Sequence, residues 1–311
     1  MQAVIPDALP DASVAPELAR AWPARAPTLL AWLRAAPARV ERVDPLADGC
    51  TPFEAWQLRR AGFRPEPGQP LAAGMGPLHA GPVPDDEPVW LAELAHVALG
   101  TDHAALLDPA ALELDGHDGH ALFEAVRPLF AGTGFDAEPL EPRRWRMRLP
   151  PGLQPPCATP EAAAGRPVGA WWPQDSALRP WRRLLNEIQM VWHEHPVNQA
   201  RAERGRAPVN SLWLYGGARA WTPPAAAGPA RVFGELSGPA RAGDWHAWLQ
   251  ALETLDRDAL RPLAGQAPDG LTLVLTGAGR LATLDIPQRG RPWRWLPRKN
   301  KDWNAWWTPP A

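Results

Sequence analysis

Residues 181–217, WRRLLNEIQMVWHEHPVNQARAERGRAPVNSLWLYGG, join an amphipathic helix to a short apolar strand that runs into Gly216-Gly217. Trp181, Leu184, Leu185, Ile188, Val191 and Trp192 recur at spacings of three and four. That period predicts a helix from about Leu178 to Glu194, stopped by Pro196. Val209 to Leu214 reads as a strand. Between the two lies a polar run holding His195, Asn198, Arg201, Arg204, Arg206 and Asn210. Amide side chains and a forked guanidinium are the groups with which proteins hold anions and planar polar ligands. The ligand-binding candidates are therefore His195, Asn198, Arg201 and Asn210. Asn198 and Asn210 would orient the ligand, Arg201 would neutralise a phosphate or carboxylate, and His195 would donate or act as an acid/base near neutral pH. The same residues admit a plainer role, with Pro196 and Asn198 at a helix boundary and Arg201 to Arg206 as a solvated face.

Outward from this block, helices and short strands alternate, which predicts an α/β or α+β fold. Strands are expected from Trp90 to Leu99, at Ala105–Leu107 and Leu112–Leu114, and at Trp145–Leu149, where apolar and basic residues alternate. Helices are expected around Leu29–Leu33, over 53–63, over 119–131 and over Trp245–Leu263. Leu271–Leu275 and Leu281–Ile286 flank Gly277-Ala278-Gly279 as a hairpin. The Pro/Gly-rich stretch 64–88 is expected to be an irregular surface loop. The resulting domain reading is a loose Pro/Ala-rich tail over 1–26, a single α/β unit over 27–290, and a Trp/Arg-rich tail over 291–311.

Composition narrows the function classes. The chain has 311 residues, 45% of them hydrophobic, enough for a substantial core. The 40 prolines make for short helices and many loops. A net charge of −2 supplies no chain-wide attraction to nucleic acid or to an acidic membrane. No apolar run reaches the length of a membrane span, and the N-terminus lacks the pattern of a signal peptide. Cys50 and Cys157 are too few and too far apart in sequence for a disulfide framework or a zinc site, so a reduced, cytoplasmic setting fits.

Other chemistry-bearing patches are sparse. His193 and His195 stand two apart on a helical pattern, whereas zinc-binding helices want i, i+4. The run Asp115-Gly-His117-Asp118-Gly-His120 reads more simply as a turn with Asp118 capping the next helix than as a cation loop. Gly277-Ala278-Gly279 is followed by no helix with a further glycine, so it is not a dinucleotide loop. The run 289–307 interleaves tryptophans with basic residues, a mixture that can stack bases but that also suits docking onto a core, since Trp303, Trp306 and Trp307 have helical spacing.

Glu187-Ile188-Gln189-Met190, His195-Pro196-Val197-Asn198, Arg201, Gly205, Pro208-Val209-Asn210-Ser211-Leu212-Trp213 and Gly216-Gly217 resemble the signature of a bacterial family labelled RpfE-type regulatory proteins. The resemblance runs over about residues 85–220. Over about forty residues the motif is also similar to archaeal-type cofactor-independent phosphoglycerate mutases of the alkaline-phosphatase superfamily. The mutase resemblance implies a nucleophilic serine and two divalent metals, with an N-terminal strand ending in Asp-Gly and a C-terminal Asp/His cluster. Here Asp48-Gly49 has no apolar strand before it, Ser13 is the only serine before Ser176, and Tyr215 stands where the mutases carry an arginine before the glycines. The resemblance therefore implies a non-catalytic protein without cofactor, binding a small anionic metabolite. A metal-dependent mutase or phosphoesterase is the alternative, and a nucleic-acid accessory protein the second alternative. Protein partners are not legible.

Overall fold

The computed structural model describes the chain apart from residues 82–85, 101–102, 173–174, 225–227, 267–269, 288–302 and 309–311. It is an α/β protein of two compact units, one built from Met1–Val43 with Ala225–Ala311, the other from Asp44–Pro224. This replaces the expected single unit with loose ends.

The chain opens with β1 (Gln2–Ile5), α1 (Ala15–Arg25), α2 (Pro27–Ala35) and β2 (Ala38–Arg42). The expected N-terminal tail is thus a buried strand and a helix. β1 is only four residues long, and Ala3, Val4 and Ile5 are all fully buried. A strand covered on both faces shows no alternation, so its sequence lacks the period that would announce it.

The second unit follows with α3 (Pro52–Arg60), α4 (Met75–Ala80), β3 (Val89–Ala95), β4 (Val97–Leu99), β5 (Ala104–Leu106) and α5 (Gly116–Val126). It continues with β6 (Asp136–Glu141), β7 (Arg144–Arg148), α6 (Pro160–Ala163), α7 (Arg179–His193), α8 (Pro196–Glu203) and β8 (Ser211–Ala218). Its antiparallel sheet has the order β6-β7-β3-β8. One face carries Ala92, Leu94, Trp145, Met147, Leu212 and Leu214, which pack with Leu122, Phe123 and Val126 of α5 and Trp181, Leu184, Ile188 and Trp192 of α7. Trp145 meets Phe123 edge-on at 5.0 Å between ring centres and Trp192 at 5.9 Å. Val191, expected in the core, is exposed.

Two local expectations fail here for local reasons. Leu112–Leu114 is not a strand: Pro109–Leu112 forms a 3-10 turn and Glu113 takes a left-handed φ of 44°. Within the expected surface loop 64–88, Leu71–Gly74 and Met75–Pro77 are buried. Small residues make this possible, since a Cβ on Gly76 would lie 2.1 Å from the Val89 carbonyl oxygen and 3.0 Å from the Gly216 Cα. Gly216, with φ of 105°, leaves the matching space on β8.

The chain then returns to the first unit with β9 (Ala230–Val232), α9 (Ser237–Ala242), α10 (Trp245–Leu255), α11 (Arg261–Gln266), β10 (Leu271–Gly277), β11 (Arg280–Ile286) and α12 (Trp303–Trp307). A π-helical turn, Asp256–Leu260, joins α10 to α11, so the expected helix over Trp245–Leu263 is continuous but not uniform. The sheet order is β2-β11-β10-β1-β9, with β1 parallel to both β10 and β9 and the β10–β11 hairpin antiparallel as expected. Ala3, Ile5, Leu273, Leu275, Ala282 and Leu284 meet α1, α2 and α10 in one core. Buried Asp256 ties the helices together, accepting from Leu29 N at 2.8 Å and Thr28 N at 3.1 Å and so capping α2 from a distant segment. No helix among the described residues is long and apolar enough to cross a membrane.

Candidate functional site

The structure brings His195, Asn198, Arg201 and Asn210 close together but points them at main chain. Asn198 is buried. Its Nδ2 donates to Trp192 O at 2.7 Å and Val209 O at 2.8 Å, while its Oδ1 accepts from Val209 N at 2.8 Å. Buried Arg201 donates from Nε to Ala207 O at 2.8 Å, from Nη1 to Glu113 O at 3.2 Å and from Nη2 to Leu112 O. Asn210 imitates a sheet pairing, with Oδ1 accepting from Val97 N at 2.8 Å and Nδ2 donating to Val97 O at 2.9 Å. His195 caps α8, its Nδ1 accepting from Val197 N at 3.2 Å. That bond needs the unprotonated ring nitrogen, and burial lowers the His195 pKa despite Asp118 nearby.

In the folded chain these side chains brace α7, α8 and β8 against β4 and the Leu112–Glu113 turn, as the plainer role expects. Directional donors satisfied by buried carbonyls have little left to offer an anion. Of the expected solvated face, Arg204 and Arg206 are exposed, whereas Arg201 is inside. Asp115, not Asp118, caps α5, accepting from Asp118 N at 2.8 Å. His193 is exposed, and among the described residues no three His, Cys, Asp or Glu side chains converge as metal ligands.

On the other face of the same sheet lies a polar cluster that the sequence reading missed. Glu93 is 2% exposed and paired across the strand with Arg144, at 3.3 Å from Nη2, while Arg143 approaches its other oxygen at 3.6 Å. Tyr215, on β8, bonds His79 Nδ1 at 3.2 Å. Buried Glu54 accepts from the Thr159 hydroxyl at 2.8 Å, and burial raises its pKa. Glu161 keeps a solvent-exposed flank, yet desolvation by the surrounding protein, and then the Glu54 and Glu93 carboxylates, push its pKa to about 8. A charged residue inside the apolar run VWLAELA was the one signal available. Its partner lies fifty-one positions on, beyond any local pattern.

His79 makes this cluster testable. Burial first, and the Arg144 charge second, lower its pKa from 6.5 to about 4. The folded state thus holds His79 neutral where the unfolded chain binds a proton, so stability falls as pH drops from about 6.5 towards 4. His79→Gln is expected to flatten that part of the stability–pH curve in urea titrations at constant ionic strength. An unchanged acid slope would show that His79 does not contribute.

Beside Gly216 and Gly217 opens a groove of ≈ 1210 Å³ lined by Gln69, Trp90, Arg146, Arg148, Leu153 and Trp171. Glu66, Glu87, Asp136 and Glu138 also line it. Arg148 pairs with Glu87 at 3.6 Å and with Asp136 at 3.3 Å. Four carboxylates against two guanidiniums do not suit an anion.

In the first unit the carboxyl end of the parallel strands is the place where open α/β sheets hold ligands. β1 leads into Pro6-Asp7, with Asp7 at φ of 55°. The following loop folds back on β10, with Leu9 N donating to Thr276 O at 3.2 Å. The α12 helix covers this end. Trp307 Nε1 donates to Ala8 O at 3.1 Å, and Trp303 and Trp307 are buried against Trp22 at ring-centre distances of 5.0 and 5.6 Å. Arg280, the first residue of β11, donates from Nη2 to Pro10 O at 2.6 Å and from Nη1 to Trp306 O at 2.8 Å and Trp307 O at 3.1 Å. The expected docking of the Trp-containing end is seen at α12; residues 289–302 of that run lie outside the described residues.

No family model matches the chain. A stretch of 65 residues, 21% of the chain, is 29% identical to the 2,3-bisphosphoglycerate-independent phosphoglycerate mutase of Methanosarcina mazei. The match spans only 16% of that protein's length. Among solved structures, the cofactor-independent phosphoglycerate mutase of Thermoplasma acidophilum aligns over 93% of this chain and 90% of its own, at 16% identity and a TM-score of 0.37. The PH0037 protein of Pyrococcus horikoshii aligns over 92% of this chain and 86% of its own, at 13% identity and a TM-score of 0.43. The chain thus has weak sequence similarity to cofactor-independent phosphoglycerate mutases.

Proposed function

We propose that this chain is a non-catalytic protein on a mutase-like scaffold that acts by binding, as the resemblance to RpfE-type regulators implies. One observation carries the reading: α12 and the Arg280 guanidinium fill the carboxyl end of the β1–β10 sheet. Two divalent metals would have to share that space with a buried cation, which like-charge repulsion disfavours. The donor set agrees, because the described Asp and His residues do not assemble into a metal site.

A second reading, a metal-dependent phosphoester enzyme, has one observation in its favour. β1 is an apolar strand leading into Asp7, the arrangement that the mutase resemblance asks for, with Ala8 in place of glycine. The two readings separate in one assay. With Mn²⁺ or Zn²⁺ present, the purified chain is expected neither to interconvert phosphoglycerates nor to hydrolyse p-nitrophenyl phosphate, and to retain no stoichiometric metal. Turnover that EDTA abolishes would establish the enzyme instead.

A further inference from the structure

We propose that the groove beside Gly216 and Gly217 is a docking site for an extended, arginine-bearing peptide segment of a partner protein. This deepens the binding reading above, on which it rests, by giving it a place and a partner class. The groove lies wholly within the Asp44–Pro224 unit. Its ≈ 1210 Å³ exceeds the roughly 300–1,000 Å³ of small-molecule pockets, so its size suits a run of residues better than a single metabolite. Its charge selects the sign of the occupant. Glu66, Glu87, Asp136 and Glu138 outnumber Arg146 and Arg148, and neither Glu66 nor Glu138 has an ionic partner among the described residues.

The hydrogen-bonding balance points the same way. Three side-chain donors on the lining are already spent: Arg148 on Glu87 and Asp136, Gln69 Nε2 on Gly217 O at 3.2 Å, and Arg146 is likewise engaged. Seven prolines between Pro67 and Pro156 also line the groove, and each brings a carbonyl but no N–H. What remains is rich in acceptors, whereas guanidinium and ammonium groups only donate. Half-buried Trp90 adds an indole, the best aromatic partner for a cation. A planar guanidinium stacks on such a ring more readily than an ammonium does, which favours arginine over lysine.

The test is fluorescence anisotropy with a labelled heptapeptide carrying arginine at every second position. The parent chain is expected to bind it saturably, with an affinity that falls as salt is added. The same peptide with citrulline for arginine keeps the shape without the charge, and should bind at least about tenfold more weakly. Glu66→Gln/Glu138→Gln should weaken the arginine peptide at least about fivefold. Glu17→Gln/Glu203→Gln, an equal charge change outside the groove, should leave its affinity unaltered. All four positions are exposed, and matching thermal midpoints check that folding is intact. No saturable binding, equal binding of the citrulline peptide, undiminished affinity in the groove variant, or an equal loss in the control pair overturns the proposal. So does spermine displacing the peptide at equal concentration, which would make the site one for free polyamines. Absence of peptide binding leaves the non-catalytic reading to the turnover assay, and turnover alongside intact peptide binding would refute that reading alone.

Discussion

Arg201→Ala is expected to destabilise the Asp44–Pro224 unit by about 3–5 kcal/mol, a large part of what a domain of that size possesses. The truncation removes donors from Leu112 O, Glu113 O and Ala207 O and leaves a cavity where a 2%-exposed side chain stood. Each buried carbonyl left without a partner costs on the order of 1–3 kcal/mol, and the lost packing adds to it. Arg201→Lys should recover less than half, because one ammonium cannot reach three acceptors that a planar fork meets at once. Urea unfolding followed by circular dichroism reads both variants. A midpoint within error of the parent would mean that Arg201 is a surface or ligand residue after all.

Asn198→Asp should cost about 3–4 kcal/mol at neutral pH, more than Asn198→Ala at about 2–3 kcal/mol. The aspartate sets a carboxylate against Trp192 O and Val209 O, both now bonded by the amide. Its pKa must rise in the folded state, so the folded chain holds a proton that the unfolded chain releases above about pH 4. The deficit is therefore smallest in acid and widens as pH climbs. A deficit that shrinks instead as pH rises would show that the carboxylate finds a cation or water, and that position 198 is open to a ligand.

These two substitutions separate what local pattern carries from what it does not. The α7 helix, the alternating β7 strand, the α10 face and the β10–β11 hairpin were all legible, because each rests on contacts between residues a few positions apart. β1 was not, since its pairing with β10 joins residues about 270 positions apart and its buried run is too short to show a period. The polar block 195–210 was recognisable as important from its residue types, but the sequence left two roles open for it. Asn198 and Arg201 have the chemistry of an anion site and of a backbone brace alike, and nothing in their spacing distinguishes the two. The Glu93–Arg144 pair shows the same limit on the opposite face.

Residue type and period were enough to establish an α/β chain, the placement of most helices and strands, and a concentration of hydrogen-bonding side chains between α7 and β8. Folding settled what those side chains hold. Arg201 reaches a carbonyl 88 positions away and Arg280 one 270 positions away, so their partners are set by chain closure. A polar side chain's capacity is intrinsic, but its use depends on which unsatisfied backbone groups the rest of the chain delivers to it.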